Sequence, residues 1–220
     1  MRFLKLLFGI LLLPLCVAVT LAIADVLGHA QGKGSMFSVE AACLLAGVFI
    51  WLLCWFCLPQ PVRVYILGHE LTHALWAVLF GGRAKHLRVS AKGGSVRVTK
   101  SNVLITLAPY FFPFYTILLI LLRFVLGFFF DVNPYASVWL FLVGFTWSFH
   151  FMFTLQSLTV RQPDIQEHGR VFSYVLIYLL NMLGIGFWIV CTTSVTGGYL
   201  VHSLVSHSAE VYLAIYGSCK

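Results

Sequence analysis

His69-Glu70-Leu71-Thr72-His73 places two imidazoles four residues apart with a carboxylate between them. On a helix, positions i and i+4 share a face, so the two rings can grip one zinc ion. The glutamate beside the first ring can then reach a water that the metal activates. The implied chemistry is metal-assisted hydrolysis, with His69 and His73 as ligands and Glu70 as general base. The motif lies in an apolar run, where an ionisable group is costly unless it is paired or liganded, so three such residues together read as functional.

The elements that must position this trio are apolar helices. The chain has 220 residues, of which 60% are hydrophobic and only 10% charged. Nearly uncharged runs fall at about 6–27, 38–58, 62–80, 103–127, 135–158 and 171–194, each near the roughly 20 residues that a helix needs to cross a bilayer. The expectation is an all-α polytopic membrane protein of about six transmembrane helices. Residues 1–58 would form two N-terminal spans, 59–195 the metallopeptidase core, and 196–220 an amphipathic or membrane-associated tail.

A net charge of +7 does not point to nucleic acid, because the cations are scattered between apolar spans and no soluble module gathers them. Orientation explains it better. Arg83, Lys85, Arg88, Lys92, Arg97 and Lys100 crowd between the third and fourth spans. With alternating spans, nine of the fourteen Lys and Arg share that side, which the positive-inside rule assigns to the cytoplasm. Met1 to Ala24 also imitates a signal peptide ending in Ala22-Ile23-Ala24. It is read here as a retained span, interrupted by Pro14; a cleaved signal would invert the topology. The six cysteines, including Cys54-Trp55-Phe56-Cys57, mostly lie in apolar runs and imply packing instead of a disulfide framework.

Leu58-Pro59-Gln60-Pro61 breaks the second span and turns the chain into the motif helix, which Gly81-Gly82 ends. A β-hairpin should follow, with alternating strands at His86–Ala91 and Ser95–Thr99 about a Lys92-Gly93-Gly94 turn. Its free edge could take an extended peptide by strand addition. Ala108-Pro109 and Pro113 should kink the fourth span. His202, His207 and Glu210 in the tail read as one face of an interfacial helix in preference to a second metal site.

A catalytic zinc takes three protein ligands and a water, so a third ligand must come from elsewhere. With alternating spans, Asp164 falls at the cytoplasmic end of the fifth span and Asp131 at the opposite face. Glu167, His168 and His150 are the other candidates, although a lone histidine among aromatics such as His150 reads first as packing.

Here the chain resembles the site-2 protease family of intramembrane zinc metalloproteases, in its divergent bacterial branch. The likeness is carried by Gly68-His69-Glu70-Leu71-Thr72-His73-Ala74, Gly81-Gly82-Arg83, the hairpin about Gly93-Gly94, the proline-bearing span and an Asp after the next span, over roughly residues 60 to 195. It implies zinc on His69, His73 and Asp164, and Glu70 as base. It also implies a membrane-protein substrate in the lipid bilayer of a bacterial inner membrane. The chain departs from the family where Leu-Asp-Gly is usual: Pro163-Asp164-Ile165 stands there, with Gly169 five residues past the acid. A membrane metal-binding, chaperone or transport protein derived from such an enzyme is the alternative, which an intact Glu70 disfavours.

Overall fold

The computed structural model describes residues 2–33 and 39–218. In chain order the elements are α1 (Arg2–Lys33), α2 (Val39–Cys57), α3 (Val62–Leu79), β1 (Ala84–Ser90), β2 (Gly93–Val98), α4 (Val103–Leu107), α5 (Phe114–Leu126), α6 (Ala136–Thr159), α7 (Pro163–His168), α8 (Arg170–Thr192) and α9 (Gly197–Ser218). Short 3-10 turns at Ala108–Tyr110 and Asn133–Tyr135 precede α5 and α6. The protein is thus mostly helical, with one antiparallel hairpin.

Among the described residues, four helices are long and apolar enough to cross a membrane: α1, α2, α6 and α8. This is consistent with a membrane protein. The fourth apolar run of the sequence is not one straight helix. Pro109 sits in the 3-10 turn and Pro113 heads α5, so the chain bends by 85° between α4 with its turn and α5, a broken span or a re-entrant loop. Helix α3 is not among the four, because Arg63, His69, Glu70 and His73 dilute its apolar character.

Two compact units make up the chain, one of Phe37–Gln162 and one of Met1–Met36 with Pro163–Lys220. In the first, α2 and α6 approach closely. A Cβ at Gly47 would collide with the Phe141 carbonyl, and one at Gly144 with that of Leu44, so only hydrogen fits at either crossing. Around Trp51, Phe149 and Phe153 the rings interlock edge-to-face, which fixes α6 beside α2.

The second unit packs α1 against α8 and α9 about Val19, Ile23, Val26, Val175, Leu179 and Ile189. Polar pins add specificity: Tyr199 and Ser203 donate to the Asp25 carboxylate, the latter at 2.7 Å. Helix α7 is held on α8 by the Ser173 hydroxyl, which donates to the Ile165 carbonyl at 3.2 Å.

The hairpin forms next to the motif helix, with its turn and start displaced from the sequence expectation. Ser90 pairs with Gly93, so the turn is Ala91-Lys92 and both glycines belong to β2. The Ser90 hydroxyl explains the shift, donating to the Gly93 carbonyl and accepting from the Lys92 amide. The first strand starts at Ala84 instead of His86, and a bulge lies between Lys85 and Arg88, where His86 adopts a positive φ of 56°.

Candidate metal centre

The placement of the motif's side chains relative to one another follows from α3 being a regular helix. The His69 and His73 rings stand 4.9 Å apart, edge to face, as i and i+4 neighbours should. The Ile105 carbonyl can only accept, so His73 donates from Nδ1 at 2.9 Å and its Nε2 carries the lone pair that could hold a metal. That carbonyl is itself placed: the Asn102 side chain accepts from the Ile105 amide at 2.8 Å, capping α4 and fixing its first turn beside α3.

His69 has an outer support of the same kind. Its Nδ1 lies 3.5 Å from the Tyr65 hydroxyl, at the limit of a hydrogen bond, and that hydroxyl is 2.8 Å from Ser157 Oγ on α6. The Tyr65 ring stacks on Phe153 at 4.6 Å, so the phenol is held at both ends. Tyr110 meets the His69 ring edge-on at 5.3 Å. Such outer partners fix tautomer and ring orientation, as a metal ligand requires.

Glu70 is 8% exposed and lies under the hairpin. A Cβ added at Gly94 would stand 2.7 Å from its Cγ, 2.8 Å from its Oε1, and 2.6 Å from Ile66 Cγ2. The backbone of β2 therefore rests on the carboxylate, and the apolar face of the hairpin, with Val96 and Val98 half-buried, turns toward α3.

Asp164 belongs to the other unit, in the first turn of α7 and two residues beyond Gln162, where the motif's unit ends. Its rivals are placed as follows. Glu167 is on the same short helix and exposed. His168 is buried, and its Nδ1 accepts from the Lys5 ammonium at 2.5 Å; burial, with Lys5, holds its imidazolium below the usual histidine range. His150 is buried in α6 and lines a small pocket with Tyr65, His69, Thr72 and Tyr115. In the tail, His207 pairs with Glu210 at 3.1 Å and gathers no third ligand among the described residues. Cys54 and Cys57 are free thiols.

The supports missed by the sequence differ in kind. Tyr65 stands one turn before His69 and was legible as a neighbour on the same face. The Ile105 carbonyl and the Gly94 backbone carry no side-chain signature.

No family model, curated protein or solved structure matches this chain. Its function rests on the site alone.

Proposed function

We propose that the protein is an intramembrane zinc metalloendopeptidase of the site-2 protease kind, hydrolysing peptide bonds of membrane-embedded or membrane-proximal proteins. The observation that carries this reading is the motif helix itself. His73 donates from Nδ1 to the Ile105 carbonyl, so Nε2 would be its metal donor, and Glu70 stands one residue from His69 under a β-strand.

Asp164 is the proposed third ligand. In the family that the chain resembles, two histidines and a downstream aspartate hold the zinc, which supports this choice. Two neutral imidazoles and one carboxylate suit zinc and leave one position open, as catalytic sites do. A zinc ion there would supply polarisation of the scissile carbonyl and acidification of the attacking water. Glu70 accepts the proton of that water and returns one to the departing amine. Tyr65, Ser157 and the Ile105 carbonyl hold the two imidazoles in register. The hairpin beside the site offers edge N–H and C=O groups to an extended substrate backbone.

Six crossings, with α3 as the third, belong to the same proposal, as does a bacterial inner membrane with the hairpin on its cytoplasmic side. The test is Glu70→Gln. It should keep the zinc content of the wild type and lose hydrolysis of an unfolded protein substrate, because only the base is removed. Cleavage at the wild-type rate by a well-folded, zinc-loaded Glu70→Gln protein would refute the protease reading.

A further inference from the structure

The bulge at His86 sets which face of the hairpin carries its charges. Side chains alternate along a strand, so Lys85 and Arg88, three residues apart, would point to opposite faces of a regular β1. The extra residue restores their parity. Lys85 pairs with Arg97 and Arg88 with Ser95, and cross-strand partners share a face. Gly94 and its pairing partner Val89 lie on the other face, the one that rests on α3. Lys85, Arg88 and Arg97 therefore stand together on the outward face, all exposed, with Lys92 at the turn. The hairpin contains no acidic residue, and none of these four side chains has a hydrogen-bond or ion-pair partner among the described residues.

Where the face lies narrows its partner. The hairpin leaves the C-terminal end of α3, where the Thr99 amide donates to the Arg83 carbonyl, and folds back until Gly94 rests on Ile66 and Glu70, near the middle of the helix. If α3 crosses the bilayer, that level is below the lipid headgroups. Strands and unpaired cations are tolerated at such a depth only along a water-filled cleft. A headgroup-binding patch would instead sit at the ends of the apolar helices.

We propose that the outward face of the hairpin, with Lys85, Arg88, Arg97 and Lys92, lines an aqueous cleft and selects substrates with an acidic segment beside the cleaved bond. This rests on the protease reading and names its substrate class. Charge complementarity is the whole of the recognition: three or four exposed pairs, each modest, together give about a tenfold preference at low salt.

The experiment measures binding and not cleavage, on the full chain carrying Glu70→Gln in phosphatidylcholine nanodiscs. A fluorescein-labelled twelve-residue peptide with four Glu is compared by anisotropy with its Gln counterpart. The Glu peptide should bind about tenfold more tightly, and the preference should fade as salt rises. It should vanish in K85Q/R88Q/R97Q and turn toward a Lys peptide in K85E/R88E/R97E. Equal binding of the Glu and Gln peptides to the wild-type hairpin would overturn the proposal. So would a preference that survives in K85Q/R88Q/R97Q. Extra phosphatidylglycerol retained by the wild type and not by the triple variant, with no peptide preference, would assign the face to lipid and equally overturn it. None of these results depends on whether Glu70 is a base, so the two readings fail separately.

Discussion

Gly94→Ala tests how tightly the hairpin is coupled to the proposed base. The φ of Gly94 is not in the left-handed region, so alanine meets no backbone strain and would by itself stabilise by about 0.4–1 kcal/mol through the unfolded chain. The space is the obstacle. The new methyl would stand 2.6 Å from Ile66 Cγ2 and 2.7 Å from Glu70 Cγ, about 1 Å inside ordinary contact. Ile66 is β-branched and stiff about χ1, so relief must come from the strand lifting or from Glu70 rotating away. Overpacking of this kind costs about 1–3 kcal/mol, leaving a net loss on the order of 1 kcal/mol and a fall in Tm of about 2–4 °C. The effect on chemistry is larger, since displacing a catalytic group by about 1 Å costs about 100-fold in rate. Zinc content should not change, because the atoms nearest the new methyl belong to Ile66 and Glu70 and not to an imidazole. The assay is zinc per chain by elemental analysis, with hydrolysis of an unfolded protein substrate and a thermal melt, and Ser95→Ala on the outward face as the control. Wild-type hydrolysis by a folded Gly94→Ala protein would refute the coupling.

Asp164→Ala should lower zinc affinity by about 10-fold or more, whereas Glu167→Ala should leave it nearly unchanged, as measured by competition with a chromogenic chelator. Thr99 donates to the Arg83 carbonyl, so ladder alternation puts the Val98 N–H on the free edge of β2. Val98→Pro should therefore keep zinc but lose most cleavage if substrate adds at that edge, and undiminished cleavage would return the hairpin to a connecting loop. Reporter fusions after Lys92 should report the cytoplasm and those at Asp131 the opposite side; inversion would point to Ala22-Ile23-Ala24 as a cleaved signal end.

What could be read from the sequence was what local pattern encodes. The i, i+4 histidines, the apolar runs and the alternating strands each leave a periodic trace, and the motif helix, the hairpin and four helices apolar and long enough to cross a membrane are present among the described residues. The turn was misplaced because the glycines at 93 and 94 signalled a reversal, while the reversal is set by Ser90 hydrogen bonds and Gly94 is needed where strand meets Glu70. The fourth span was expected to kink at its prolines, and the chain bends there by 85°. Longer-range facts leave no periodic mark. The pairing of α1 with α8 and α9 joins segments about 140 residues or more apart, and the carbonyl that orients His73 comes from Ile105, thirty-two positions on.

Whether His69 and His73 hold one zinc ion is read from the metal stoichiometry of the purified full chain. Wild-type and Glu70→Gln chains should each carry about one zinc, and His69→Ala and His73→Ala proteins that keep their helical content should lose most of it. Zinc absent from the folded wild type after reconstitution with the ion, or retained in full by both alanine variants, would contradict zinc binding by His69 and His73.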